Sequence, residues 1–171
     1  MPFDKKAYEG LFNENLKQGL IAKSGKFFKI KLFLQKAENS LLIAKHMDAP
    51  GADVPKKIYW DYWAIIISHY SMLYAAKSAI LSKGYEVHGH DAAQVALGHL
   101  LVPEQIEKED LELLNQAYKI FEDEYVPYFE DARKEAHIAR YSAIKTYTEK
   151  RVKEIFGNAS RFVGKISLIL A

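Results

Sequence analysis

"ISHYSMLYAAKSAILSKGYEVHGHDAAQVAL", residues 67–97, sets the fold class. Its first half continues the most apolar run in the chain, "YWAIIISHYSMLYAA" (62–76), which is apolar almost all round and bounded by Asp61 and Lys77. A helix apolar on every side is one buried among others. The run is shorter than the roughly 18 residues of a membrane span and contains His69, so it reads as the central helix of a soluble bundle. Gly84 is a natural stop for it. "YEVHGHD" (85–91) reads as a loop, and a shorter helix follows over about Ala92–Leu101.

Outward from this centre the periodicity stays helical, and strand signals are nearly absent. A first helix is predicted over about residues 4–22, with Asp4 as its cap, and "KSGK" (23–26) breaks it. A second, over 27–47, repeats apolar residues at Ile30, Leu34, Ala37, Leu41 and Ala44. "DAPGADVPKK" (48–57) is the clearest loop, and the central helix spans about Ile58–Lys83. Pro103 opens a further helix that Pro127 interrupts or kinks, and Gly157 with Asn158 is expected to break the last one. The predicted fold is all-α: an up-and-down bundle of four core helices plus an N-terminal helical extension (1–29) and short extra helices, with the bundle proper over 30–171.

The chain has no cysteine, which excludes disulfides, thiol nucleophiles and cysteine metal sites, and fits a reducing cytoplasm. "MPFDKKAYEG" lacks the apolar run of a secretory signal, so a cytoplasmic protein without membrane attachment is expected. Net charge is only +2, yet it is unevenly spread. Residues 104–131 carry ten acidic and two basic side chains, and residues 133–165 carry nine basic and three acidic ones. Two readings stand: helices of opposite sign lying side by side, or a basic surface for nucleic acid or nucleotide phosphates.

"DARKEAHIARYSA" (131–143) holds the candidate site. At ~100° per residue, Arg133, His137 and Arg140 fall within about a 60° arc, beside a seam of Ala132, Ala136, Ala139 and Ala143 that admits a close neighbour. His137, whose ordinary pKa is nearest neutrality, would act as general acid or base. Arg133 or Arg140 would hold a phosphate, and Tyr141 could donate to one of its oxygens. The same stripe could bind phosphate without cleaving it, or be a packed boundary whose arginines pair with the acidic 104–131 region.

Elsewhere the signals are weaker. His88, His90 and Asp91 offer a His-x-His without a third ligand, so no metal or other cofactor is expected, and His90 or Asp91 reads as a helix cap. His69 reads as a core histidine with its polar atoms satisfied. Trp60, Tyr62 and Trp63 could stack on bases, but their place at the start of the most apolar helix favours core packing.

Tyr70, Tyr74, Ala75, Ala79, Leu81, Gly84, Tyr85 and His90 stand where the HEPN superfamily (higher eukaryotes and prokaryotes nucleotide-binding) has an aromatic-rich helix, a glycine stop and a histidine-bearing start to the next helix. "LQKAENSLLIAKHM" resembles the first core helix of that superfamily, and "NASRFVGKISLIL" its last, so the resemblance covers about residues 30–170. It implies a homodimer. It also implies one of two roles: a metal-independent ribonuclease, including toxins paired with a small nucleotidyltransferase, or a module that binds nucleotide, RNA or a partner protein. The ribonucleases carry an Arg, four to six residues, then a His. Arg133 and His137 are separated by three, and no other Arg has a His at the family spacing. The expectation is therefore a non-catalytic nucleotide-, RNA- or partner-binding homodimer. The toxin–antitoxin ribonuclease, with His137 and Arg133 catalytic, is the alternative, and a structural protein-interaction subunit is the third reading.

Overall fold

The computed structural model describes residues 4–48, 57–119 and 149–171. Six helices and one short strand pair make up this part of the chain: α1 (Lys5–Lys17), β1 (Ile21–Lys23), α2 (Lys29–Asp48), α3 (Lys57–Ser82), β2 (Tyr85–Val87), α4 (His90–Leu100), α5 (described over 108–119) and α6 (Glu149–Leu170). The mostly helical bundle expected from periodicity is what forms.

The helix α3 is the axis. One side of it packs along α2 and another along α6, while α4 crosses it and carries α1 on its outer face. Met72, Ala75, Ala76, Ala79 and Ile80 of α3 are fully buried, and the small alanines let α2 and α6 approach closely. The apolar period of α2 is used as read: Ala37 and Ala44 are buried, and Leu34 and Leu41 pack on the core. A 20-residue stretch, Trp63–Ser82, is long and apolar enough to cross a membrane by length and composition, longer than the run read from the sequence. Only Lys77 interrupts it, and 78% of its apolar window is buried inside the bundle, as a core helix requires.

Asp4 caps α1, its Oδ1 accepting from the Lys6 and Ala7 amides at 2.9 and 3.3 Å. The helix ends at Lys17, earlier than predicted, because Gly19 at φ 73° turns the chain and residues 21–23 leave as a strand. That strand, and its partner in the stretch read as a loop, correct the expectation that strands are absent. β1 and β2 are antiparallel, with Ile21 opposite Val87 and Lys23 opposite Tyr85. The Ser24 amide donates to the Gly84 carbonyl and the His88 amide to the Leu20 carbonyl, both at 2.8 Å, so the ladder is closed at each end. Gly84 stops α3 as expected, at φ 83°. Phe12 of α1 and Ile21 of β1 belong to the same buried cluster as α3 and α4.

The break expected at Gly157 and Asn158 does not occur; α6 runs unbroken through both. Ile155, Ala159, Phe162, Val163 and Ile166 form one buried stripe that spans the glycine, and that packing outweighs its cost of about 1 kcal/mol. Gly157 is exposed, with open space where a methyl group would stand, whereas at Gly98 of α4 a Cβ would fall inside the Tyr8 ring of α1. Opposite outcomes follow for the same chemical change. Gly157→Ala is expected to raise stability by about 0.5–1 kcal/mol, and Gly98→Ala to lower it by about 1–3 kcal/mol by pushing α1 off α4. Urea unfolding of the two variants checks both signs.

Candidate functional site

Arg133, His137, Arg140 and Tyr141 lie outside the described residues, as does the alanine seam beside them. The acidic and basic segments flanking them do meet where they are described. Asp110 of α5 is fully buried and receives Lys165 Nζ of α6 on Oδ2 at 2.5 Å, with Arg161 of α6 at 3.5 Å from Oδ1. Glu107 adds a longer contact to Lys165 at 3.6 Å. The same Asp110 oxygen accepts the Glu107 amide at 3.1 Å, which satisfies an orphan donor at the start of α5. Hydrogen bonding to Asp110 holds the Lys165 ammonium above its usual range. Opposite-sign helices side by side are thus present in α5 and α6.

The titratable cluster among the described residues sits at the junction of α3, α4 and α5. His69, fully buried in α3, faces His90 at the start of α4, with Nε2 of one 3.0 Å from Nδ1 of the other. Tyr118 of α5 stacks on His90 at 4.5 Å and 15°, and Tyr70 lies edge-on to both imidazoles at 5.6 and 6.4 Å. Burial, and then repulsion from any charge on His90, drives the His69 pKa from 6.5 to about 3. His69 is therefore neutral at physiological pH. One proton between the two ring nitrogens makes the bond, so the pair serves as a hydrogen-bonded link between helices. The half-buried His90 and Tyr118 and the more exposed Tyr70 form an aromatic and imidazole surface on the side where α5 runs toward residue 120.

His69 is buried as read, and of its two ring nitrogens Nε2 is satisfied by His90, a partner the sequence did not reveal. Neither His90 nor Asp91 caps α4. Gly89 takes the cap position at φ 96° without a side-chain bond, and the His90 ring is turned to His69 instead. His88 and His90 point to different neighbourhoods, His88 to a cleft between α2 and β2. No group of three or more metal-ligating side chains occurs among the described residues. Trp63 is 46% exposed, contrary to the expected core packing, because it stands about 100° round the helix from buried Ala64. The side chains of Trp60 and Tyr62 are outside the described residues.

A second exposed apolar surface runs along α2. Leu32, Leu42 and Ile43, with Phe28 just before the helix, fall within about a 100° arc opposite the face that packs on α3. The Phe28 side is the most open, at 77%. Exposed Gln35, Asn39 and His46 share that arc, so the outer face of α2 mixes polar side chains with more large apolar ones than a helix with one buried face normally shows to solvent.

A family model described as the HEPN domain matches residues 30–169 of the chain. No curated protein matches it.

Proposed function

Because this chain belongs to the HEPN-domain family, we propose that it is a homodimeric module that binds a phosphate-bearing ligand, a nucleotide or RNA, without cleaving it. The observation that carries the reading is the Arg133–His137 spacing inside the matched span, one residue short of the family's ribonuclease motif. One residue of slip turns a side chain by ~100°, so the arrangement that brings an Arg and a His to one phosphate is not inherited. Three potential cations on a 60° arc still attract anions. Among the described residues, the buried His69 is held neutral by its surroundings, which suits a structural link to His90 better than proton transfer. Support for the homodimer comes from the outer face of α2, where Phe28, Leu32, Leu42 and Ile43 stand exposed among polar side chains and a second copy would cover them.

The test compares wild type with Arg133→Ala, His137→Ala and Arg140→Ala, for RNA binding at two salt concentrations and for RNA cleavage in EDTA. The expected result is binding that weakens with salt, falls roughly tenfold in each Arg variant, and is accompanied by no cleavage. Metal-independent cleavage abolished by His137→Ala would replace this reading with the ribonuclease one, in which a toxin with a small nucleotidyltransferase partner is the expected setting. Unchanged binding in all three variants would leave the stripe as a packed helix edge. Light scattering at tens of micromolar protein tests the dimer, and a monomer would refute it.

A further inference from the structure

A cleft of about 240 Å³ opens between the start of α2, the last turns of α3 and β2, away from the His69–His90 link. Its floor is Phe33, Leu81 and Val87, and its walls carry Lys26, Lys29 and Lys77 against a single carboxylate, Glu86. Glu86 is shared by two of them: Lys26 Nζ reaches Oε2 at 2.9 Å and Lys29 Nζ reaches Oε1 at 3.5 Å. That leaves Lys77, half-buried on α3, without an ion-pair partner among the described residues. Lys36, two turns along α2 from Lys29, adds a further positive charge and lies 5.4 Å over the Tyr74 ring. Tyr74 in turn stacks on Phe33 at 6.4 Å and 17°, so the aromatic floor is held flat by a second ring. A partly desolvated ammonium beside another cation, over an apolar floor, is an arrangement that costs stability unless an anion completes it.

We propose that this cleft is a binding site for a small phosphorylated molecule with a flat ring, its phosphoryl group held by Lys77 and Lys29 and its ring laid on Phe33. The charge balance of the walls demands an anion, and a phosphoryl group satisfies several ammonium donors at once. Phe33, backed by Tyr74 outside the cleft, adds an aromatic side chain that a bare ion does not use. Burial, and then Lys36, holds the Lys77 ammonium below its ordinary range, so a bound anion also restores its preference for the charged form. Glu86 now answers Lys26 and Lys29 from within the chain, and it acts as an internal competitor for the ligand.

Calorimetry on the full chain with three probes tests the site: a nucleoside 5′-monophosphate, the unphosphorylated nucleoside and inorganic phosphate. The monophosphate is expected to bind at least tenfold tighter than either part alone. Lys77→Met should weaken it tenfold or more, Lys29→Met several-fold, and Lys77→Arg little, while Glu86→Gln tightens it. Arg133→Ala and Arg140→Ala should leave the binding component lost in Lys77→Met unchanged and weaken only a second component belonging to the site proposed above, which separates the two. Inorganic phosphate binding as tightly as the monophosphate would show the phosphoryl subsite to be real and refute the ring's part. Binding insensitive to both Lys77→Met and Lys29→Met, in variants with wild-type circular dichroism, would overturn the proposal. So would loss of that same Lys77-dependent component in the Arg variants, or no binding of any probe at millimolar concentration.

Discussion

Lys165→Met is expected to lower the free energy of unfolding by about 3 kcal/mol, the low end of the cost of stripping a buried ion of its partner. Asp110 is fully buried and Lys165 Nζ, at 2.5 Å, is its closest counter-charge. With the ammonium gone, the carboxylate keeps only Arg161, at 3.5 Å and on a side chain that is 60% exposed. Solvent screens that longer pair, so it cannot replace the lost contact. Asp110→Asn added to Lys165→Met removes both charges and leaves an amide oxygen to accept the Glu107 amide. The double variant should therefore be more stable than Lys165→Met alone. Urea unfolding of the four proteins of this cycle at pH 7 measures the coupling. A loss under 1 kcal/mol in Lys165→Met would mean that α5 and α6 are held by their apolar contacts alone.

Acid should destabilise the protein through His69. The unfolded chain takes up a proton near pH 6.5, and the folded chain refuses it until about pH 3. Between those values the unfolded state binds more protons, so stability falls as pH falls, by about 1.4 kcal/mol for each pH unit from this one group. His69→Gln abolishes that titration while retaining a polar side chain facing His90. Whatever it costs at pH 7, its stability should decline less steeply between pH 6 and pH 4 than that of wild type, by about that slope. Carboxylates contribute equally to both proteins and cancel in the difference. Parallel pH profiles would show that His69 takes up its proton in the folded state.

The helical frame was legible because burial leaves a periodic record. Ala37, Leu41 and Ala44 on α2 and the small residues of α3 announce which faces meet. Three-residue strands leave no such record: Ile21–Lys23 and Tyr85–Val87 are too short to alternate, and they pair across the whole α2–α3 hairpin. Gly157 misled for a related reason. A local helix-breaking tendency is visible in one residue, whereas the stripe from Ile155 to Ile166 that overrides it depends on what α6 packs against. The site was less legible than the fold. The Arg133–His137 stretch is a reading of sequence spacing that falls outside the described residues, whereas the His69–His90 link joins residues 21 apart on two helices. The Lys26, Lys29 and Lys77 walls come from three segments of chain, each of which alone reads as an ordinary basic surface.

The β1–β2 pair also bears on the order in which the chain folds. Its strands lie about 60 residues apart in sequence, and a pairing of three residues has almost nothing of its own with which to offset so long a loop. Once α2 and α3 have zipped into a hairpin, the free chain between the strands shrinks to the few residues at 24–28 and 83–84. That shortening lowers the closure entropy by about 2 kcal/mol. The clasp therefore closes after the helices have met and opens when they part. Its ladder amides, at Ser24 and His88 among others, should exchange with solvent at the rate at which the hairpin itself comes undone.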